Sequence, residues 1–346
     1  MATKMEMADL RLAGESPGSQ GERLQNAAVL NAPYDITVKK AYIDEPGDGE
    51  IRIAVKWVGI CGSDLEAYRG TRAPEFISIP ARLGHEVAGI IDKTGPNVAG
   101  LKVGDKVTCR YVWGAFAEYI VCRPFNVKVL PPDFPMEAVS LIEILPGILH
   151  TAELGKIDQT KSVLIMGQGV SGLIMTQVIG LYSPKKLVVT DLNPKKLELA
   201  GKYGATHTRL IPHKEASNWE HLKEEFPEGF DVVIPCLLEG DGMVDAVDLC
   251  AMGGRIVMYG CIGVCRKPLD FFKVHRKRLE IYSTEPRRDI DMRRFFQQSI
   301  QLVVDGLVNT SEIVTHRMPL TRIGEAFQLR NSESEKVIHV LVDCQG

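Results

Sequence analysis

The segment from residue 162 to residue 191 constrains the fold of this chain more than any other. It begins with a short apolar run at 163–166, and an apolar stretch of helical length follows at 170–181. A Ser-Pro turn then leads to a β-branched run at 188–190, which ends at Asp191. Three glycines at the spacing G-x-G-x-x-G mark the start of the helical stretch: Gly167, Gly169 and Gly172. This order predicts a strand, a glycine turn, a helix and a second strand.

Each of these glycines has a physical role in such a unit. Gly167 allows the tight turn after the strand, Gly169 lets the backbone approach a pyrophosphate, and Gly172 lets the helix pack close to the strand. The helix that begins near Val170 presents free N–H groups and a partial positive charge to phosphates. The segment therefore predicts a dinucleotide site in which the three glycines and Val170 contact the cofactor. The alternative is an ordinary strand–turn–helix whose glycines only serve packing.

Asp191 indicates which dinucleotide binds. It lies 19 residues after Gly172, where a carboxylate can accept hydrogen bonds from the ribose hydroxyls of adenosine. A 2′-phosphate at the same place would meet the negative charge of the carboxylate. The sequence therefore predicts NAD(H) rather than NADP(H).

The composition is that of an ordinary globular protein. The 346 residues suffice for two domains, and a net charge of −3 predicts no nucleic-acid or anionic membrane partner. No apolar run approaches the roughly 20 residues of a membrane span. Residues 1–22 are polar and lack the apolar core of a signal peptide, so we interpret them as a disordered tail. Eight cysteines without a disulfide-like spacing suit a reducing compartment, which predicts a cytoplasmic protein.

Two kinds of pattern divide the chain. Short strand patterns with glycine turns fill residues 25–121 and predict a β-rich, partly closed barrel. Residues 136–154 are typical of a helix, and strands and helices alternate over 161–284, which predicts a parallel, doubly wound sheet. The final 60 residues resemble a return to the first domain. The predicted division is a tail at 1–22, a first domain at 23–150 and 286–346, and a second domain at 151–285.

Four possible metal ligands lie outside the dinucleotide segment: Cys61, His85, Glu86 and Glu143. A thiolate, an imidazole and carboxylates together suit Zn²⁺. Spacing alone leaves the site undecided, because a single cysteine is most often a small core residue and a single histidine is more often structural.

Several longer motifs indicate the family. The chain reads Gly-Ile-Cys-Gly-Ser-Asp at 59–64, Gly-His-Glu-Val-Ala-Gly at 84–89, Gly-Asp-Lys-Val at 104–107, and Thr-His-Arg-Met-Pro-Leu at 315–320 before Glu-Ala-Phe. With these motifs and the glycine loop, the chain resembles the zinc-dependent medium-chain dehydrogenases, the alcohol and polyol dehydrogenase superfamily. The resemblance covers residues 25–343 and implies an α/β protein with a GroES-like catalytic domain and a Rossmann domain that binds NAD(H).

The resemblance also implies a catalytic zinc ion. It makes Cys61 and His85 ligands and places Glu86 where a carboxylate ligates or approaches the metal. Alcohol dehydrogenases have a cysteine at the last ligand position, whereas sorbitol-type enzymes have a glutamate in a pattern like L-I-E-P-L. Here residues 141–145 read L-I-E-I-L, so Glu143 takes that place and the chain is similar to the polyol branch.

Two departures from the family pattern matter. The family usually carries a lobe with four cysteines that hold a structural zinc, but here only residues 108–115 occupy that place, and no C-x-x-C exists. We therefore expect one zinc per chain. The second departure is Glu66, at a position where relatives often carry a histidine that relays a proton. Glu66 could accept a proton there, or it could be a solvated acid on a helix face.

Other roles follow from the same resemblance. Ser63 takes the place of the proton-relay hydroxyl, although it could also cap a helix. Asn193 and Lys196 match positions around the adenosine ribose. The expected substrate is a secondary alcohol or ketone, such as a polyol, sugar or cyclitol. Arg287 and Arg288 could recognise an acidic group of the substrate, with surface ion pairing as the alternative. The resemblance also favours a homodimer or homotetramer.

Two other classes of protein remain as alternatives. One is a metal-free quinone or enone reductase of the same fold, against which Cys61, His85 and Glu143 argue together. The other is a non-catalytic binding protein on this fold.

Overall fold

The chain forms two compact units. A computed structural model describes residues 11–13, 22–72, 77–110, 112–211, 219–237, 240–260, 265–284, 289–333 and 335–346. The first unit comprises Met1–Glu143 and Thr310–Gly346, and the second comprises Ile144–Asn309. The sequence pattern placed the corresponding divisions after residues 150 and 285.

The first unit is built mainly from short strands. They are β1 (Leu24–Ala32), β2 (Asp35–Tyr42), β3 (Ile51–Gly59), β4 (Glu86–Thr94), β5 (Lys106–Cys109), β6 (Tyr119–Cys122), β7 (Val127–Val129), β14 (Val314–Pro319) and β15 (His339–Asp343). Its α-helices are α1 (Gly62–Arg69), α2 (Met136–Val139) and α10 (Ile323–Ser332). Short 3-10 turns lie at Pro124–Asn126, Ser140–Ile142 and Leu320–Arg322.

These strands form a hairpin and a larger sheet. β1 pairs with β2, and the larger sheet has the order β14-β15-β3-β4-β5-β7, with β6 also paired to β3. Fully buried side chains such as Ile53, Ile91, Phe116 and Phe327 belong to its core. Burying apolar area of this kind is the main stabilising contribution to such a fold. The predicted β-rich domain is confirmed.

The second unit alternates strands and helices. Its strands are β8 (Ser162–Met166), β9 (Lys186–Asp191), β10 (His207–Leu210), β11 (Phe230–Pro235), β12 (Cys250–Met258) and β13 (Glu280–Ser283). Its helices are α3 (Leu145–Gly155), α4 (Val170–Gly180), α5 (Pro194–Lys202), α6 (Glu220–Glu225), α7 (Gly242–Leu249), α8 (Phe271–Lys277) and α9 (Asp289–Val304). The strands are parallel in the order β10-β9-β8-β11-β12-β13, which confirms the doubly wound sheet.

The helix predicted over residues 136–154 is interrupted. The chain forms α2 and a 3-10 turn, and α3 begins only at Leu145, with Pro146 in its first turn. A proline at that position can start a helix but cannot continue one, because its ring clashes with the carbonyl of residue i−4. Glu143 therefore lies in the break between two helical segments.

Helix α9 lies in the second unit, where Arg294 pairs with Glu153 of α3 at 2.8 Å.

Near the N-terminus, residues 11–13 lie against β2, because the backbone N–H of Ala13 donates to the carbonyl of Lys40. No helix within the described ranges is long and apolar enough to cross a membrane.

Candidate active site

Three of the proposed metal ligands lie together in the first unit. One ligand atom from each of Cys61, His85 and Glu86 lies within 4.8 Å of the others. The antiparallel pairing of β3 and β4 explains this, because it places Gly59 directly opposite Glu86. Cys61 follows Gly59 as the residue before α1, and His85 precedes Glu86, so the ligands meet at one end of the strand pair.

Asp64 ties the two ligand segments together. Its fully buried carboxylate accepts hydrogen bonds from the backbone N–H of Cys61 and of Gly84, each at 3.0 Å. The same carboxylate lies 3.6 Å from Nδ1 of His85. A carboxylate behind a ligand histidine fixes the orientation of the ring, as outer-shell partners do in metal sites.

His339 of β15 completes the buried cluster. Its Nε2 lies 3.1 Å from Oε2 of Glu86, and the His339 side chain has no exposed surface. The two side chains meet over Gly59, where a Cβ would lie 2.0 Å from Glu86 Oε2 and 2.5 Å from His339 Nε2. A larger residue at position 59 would therefore force the side chains of Glu86 and His339 to move. Neither Asp64 nor His339 was predicted from the sequence as a site residue.

Burial and charge oppose each other in this cluster. Burial alone lowers the pKa of His85, but Asp64 and Cys61 raise that pKa well above its usual value. Burial alone raises the pKa of Glu86, but His339 and His85 lower it below its usual value. Burial, helped by Glu86, raises the pKa of the Cys61 thiol. A bound cation would lower the pKa of this thiol and favour the thiolate that ligates zinc.

The donor set fits a zinc ion. A sulfur, an imidazole nitrogen and a carboxylate oxygen are the ligand types that zinc prefers. Glu86 Oε2 is buried and accepts no hydrogen bond of good geometry among the described residues, although His339 Nε2 lies 3.1 Å away. Unpaired buried polar atoms beside a thiol are unfavourable without a ligand. Cys61, His85 and Glu86 would hold the metal.

Glu143 lies apart from these three residues. The group of possible ligands found in the described part of the chain does not include it. Its carboxylate lies 3.7 Å from Nη1 of Arg110, which also donates to the Glu143 carbonyl oxygen. The ligand role of Glu143 therefore stays a prediction.

The proposed proton-relay residues lie on α1. Ser63 Oγ is 3.5 Å from Nε2 of His85. Glu66 is not a solvated acid, because only 7% of its surface is exposed and its carboxylate lies 3.7 Å from Nη1 of Arg72. Burial raises the pKa of Glu66, although Arg72 and Arg69 lower it in part. The position of Ser63 beside His85 is compatible with the proposed relay.

Trp113 forms a wall beside the cluster. Its ring centroid lies 4.3 Å from that of His85, and the guanidinium of Arg72 lies 5.5 Å from it. Sequence reasoning missed this residue because it stands in the short segment that replaces the cysteine lobe, where the family pattern gives no guide. Arg287 and Arg288 lie outside the described residues.

The glycine loop of the second unit has the predicted backbone geometry. Gly167 has φ +92°, in the left-handed region that favours glycine, between β8 and α4. A Cβ on Gly172 would lie 2.0 Å from the carbonyl oxygen of Gly167, so the helix packs directly on the turn. A Cβ on Gly169 would meet no atom within 4 Å. Space is therefore open at Gly169, next to the N-terminus of the helix that begins at Val170.

Asp191 organises the loop from the end of β9. Its Oδ2 accepts from the backbone N–H of Gln168 at 2.6 Å, and its Oδ1 accepts from that of Asn193 at 2.8 Å. Asn193 then caps α5 by accepting from the N–H of Lys195 at 2.9 Å, with Pro194 at the first helical position, as predicted. Lys196 lies half-buried in the first turn of that helix. The carboxylate has lone pairs left for further donors.

Comparisons with known proteins agree with this architecture. The family model described as the alcohol dehydrogenase GroES-like domain matches residues 47–132, and the one described as zinc-binding dehydrogenase matches 171–304. An L-threonine 3-dehydrogenase of Aeromonas hydrophila is 30% identical, with 85% of this chain and 92% of that protein covered. A sorbitol dehydrogenase of Bacillus subtilis is 28% identical, with 91% and 96% covered.

Solved structures show the same fold. A short chain alcohol dehydrogenase of Escherichia coli complexed with NADH has a TM-score of 0.80 at 23% identity and covers 93% of this chain and 100% of its own. Galactitol-1-phosphate dehydrogenase of Escherichia coli has a TM-score of 0.77 at 23% identity and covers 92% and 99%.

The GroES-like unit with its Cys-His-Glu cluster and the Rossmann unit with its glycine loop define a nicotinamide-dependent oxidoreductase. The chain belongs to the zinc-binding medium-chain alcohol dehydrogenase family.

Proposed function

We propose that this protein is a zinc-dependent dehydrogenase that transfers a hydride between NAD(H) and a secondary alcohol or its ketone. The observation that carries the proposal is the cluster of half-buried Cys61 with buried His85 and Glu86, whose ligand atoms fit zinc. The glycine loop supports the dinucleotide part, because Gly169 leaves open space at a helix N-terminus. These features argue against a metal-free reductase of the same fold and against a purely binding role.

The chain's own residues provide positioning and proton transfer. When bound, zinc acts as a Lewis acid that lowers the pKa of the substrate hydroxyl. Ser63 would accept the proton of the substrate hydroxyl, and NAD⁺, held by the glycine loop, would supply the hydride acceptor. Glu66 and Arg72 lie further along α1 and the loop after it, and we assign Glu66 the onward proton transfer. Asp64 and His339 hold His85 and Glu86 in place.

A secondary alcohol on a polyol, sugar or cyclitol is the substrate class we favour. The Glu143 pattern supports it, and so do relatives named sorbitol dehydrogenase and D-xylulose reductase. Other relatives are named L-threonine 3-dehydrogenase, so a β-hydroxy amino acid is the second candidate. Both classes present a secondary hydroxyl.

The direct test is a screen of NAD⁺ reduction by the zinc-loaded protein across polyols, cyclitols, amino alcohols and hydroxy acids. The proposal predicts turnover on at least one secondary alcohol and none in a Cys61→Ala control. Absence of turnover throughout the screen, in protein that binds both zinc and NAD(H), would favour a binding role. Turnover that survives complete removal of zinc would favour the metal-free reductase.

The same proposal includes the cellular compartment and the oligomeric state of the enzyme. We expect a cytoplasmic homodimer or homotetramer that acts on small molecules, as the family resemblance implies. Light scattering of the purified protein gives the oligomeric state, and a monomer would contradict that part of the proposal.

A further inference from the structure

A recess in the first unit contains a buried arginine, two of whose side-chain nitrogens have no hydrogen-bond partner among the described residues. Its empty space measures about 330 Å³, with the open water at its mouth included. Six of the residues that line it carry polar groups: Gln25, Asp44, Arg52, Arg82, Trp113 and Tyr119. None of them is a proposed zinc ligand or a residue of the glycine loop.

Arg82 is the buried cation. Only 8% of its surface is exposed, and its Nε and Nη2 have no hydrogen-bond partner within the described residues. Gly114, with φ +85°, makes room for the guanidinium, because a Cβ there would lie 3.1 Å from Arg82 Nε. Burial lowers the pKa of Arg82 to about 10, against a partial offset from Asp44, so the side chain is charged at neutral pH. An unpaired buried charge destabilises a fold, and an acceptor that enters relieves it.

Two other groups in the lining can donate hydrogen bonds: the indole N–H of Trp113 and the hydroxyl of Tyr119. Arginine and tryptophan side chains can only donate, and a tyrosine hydroxyl can do so. With Arg82, these groups give the recess a surplus of donors.

The remaining charged groups are already paired. Arg52 contacts Asp92 at 2.6 Å and Glu45 at 2.8 Å, so it forms part of the wall. Asp44 is the acid in the lining, and its Oδ1 lies 3.1 Å from Nη2 of Arg11. The donors that remain in the recess therefore suit a negatively charged hydrogen-bond acceptor.

We propose that this recess binds a small oxyanion, either a tetrahedral phosphate or sulfate or the carboxylate of a small acid, with Arg82 as its principal donor. The proposal goes beyond the dehydrogenase activity and does not depend on it. Trp113 connects the recess with the candidate active site, since its ring also lies against His85 at 4.3 Å. An occupant would therefore support one wall of that site.

The test is a calorimetric titration of the full-length protein with sodium sulfate at constant ionic strength. The parent protein should bind one sulfate per chain, and Arg82→Met should weaken binding by about tenfold or more, because it removes charge-assisted hydrogen bonds. Tyr119→Phe, which removes only the hydroxyl, should weaken it less. Arg276→Met, at an exposed arginine of α8, is the matched control and should bind as the parent does.

Each outcome decides the proposal. Equal sulfate affinity in the parent and in Arg82→Met would mean an adventitious ion only, and no binding to the parent would also overturn it. If Arg82→Met does not fold, Arg82→Lys replaces it, since it keeps the charge but loses the planar donor set; unchanged affinity there would contradict the proposal. A parallel titration with sodium acetate separates the sources: tighter sulfate binding indicates a free tetrahedral anion, and tighter acetate binding indicates the acid group of a small molecule.

Discussion

At the scale of single residues, the candidate zinc cluster depends on partners that are remote in sequence. Cys61, His85 and Glu86 could be proposed from family motifs, whereas spacing alone left them undecided. His339 could not be found in this way, because it meets Glu86 only through the pairing of β15, β3 and β4. The sequence shows only a histidine within an apolar strand, which is also typical of a structural residue.

Gly59→Ala tests the packing of this cluster. The new Cβ would lie 2.0 Å from Glu86 Oε2, so the Glu86 and His339 side chains must move. We expect a loss of about 1–3 kcal/mol in the free energy of unfolding, as for other overpacked cores, together with weaker zinc binding. Gly180→Ala is the matched control, since a Cβ there meets its nearest atom at 3.8 Å. Denaturant unfolding compares the two, and equal stabilities would contradict the predicted clash.

Glu66 makes stability depend on pH. Burial raises its pKa above the ordinary 4.5, despite Arg72 and Arg69, so the folded state holds the proton more tightly than the unfolded chain. Ionised Glu66 therefore lowers the free energy of unfolding as the pH rises from the pKa of Glu66 in the unfolded chain through its raised pKa in the folded protein. Glu66→Gln should gain stability relative to the parent between about pH 4 and about pH 7. The thermal unfolding midpoints of parent and variant at the two pH values measure this. If the midpoint of Glu66→Gln fell relative to that of the parent as the pH rose, the raised pKa would be contradicted.

Asp191 should decide the choice of cofactor. Its carboxylate holds two backbone N–H groups and has lone pairs left for the ribose hydroxyls. With NADP(H), the carboxylate would lose one charge-assisted hydrogen bond and would repel the 2′-phosphate. We therefore expect kcat/KM to be at least ~100-fold higher for NAD(H). Lys196, on a flexible stem in the next helix, opposes this only weakly. The ratio of kcat/KM for the two cofactors at fixed ionic strength tests it, and equal values would mean that Asp191 does not contact the ribose.

At the scale of elements, periodicity and turn residues predicted most of the architecture. The glycine loop, β9, and α5 with its Asn193 cap were read from local patterns that tertiary packing does not override. The helix predicted over 136–154 was wrong as one element, because Pro146 forces a new start and leaves Glu143 in the break. The apolar content on both sides of that break hides it from periodicity alone.

The glycine loop allows a paired test of packing against cofactor binding. Gly172→Ala should destabilise the second unit, because its Cβ would lie 2.0 Å from the Gly167 carbonyl oxygen. Gly169→Ala meets no atom within 4 Å, so it should cost no more than about 1 kcal/mol of stability as a poorer helix cap. It should still weaken NAD(H) binding, because the methyl group fills the space open to the pyrophosphate. Denaturant unfolding measures the stability of both variants, and NADH titration measures their cofactor affinity. Unchanged NADH affinity in Gly169→Ala would mean that the phosphates bind elsewhere.

At the scale of the whole molecule, a single chain carries one candidate metal site and one candidate dinucleotide site. The cluster lies in the first unit and the glycine loop in the second. The two sets of residues should therefore respond separately to substitution. Cys61→Ala should abolish turnover and zinc binding but leave NADH affinity at the parental value, because only a metal ligand is removed.

The most direct test of the zinc assignment is a titration of zinc into protein that has been stripped with a chelator, with bound metal and NAD⁺ reduction measured on the same samples. Activity should rise in proportion to bound zinc and stop rising at one ion per chain, and Cys61→Ala should neither bind zinc tightly nor gain activity. Full activity without zinc, a reproducible requirement for two ions per chain, or parental zinc binding in Cys61→Ala would contradict the assignment of Cys61, His85 and Glu86 as the catalytic metal site.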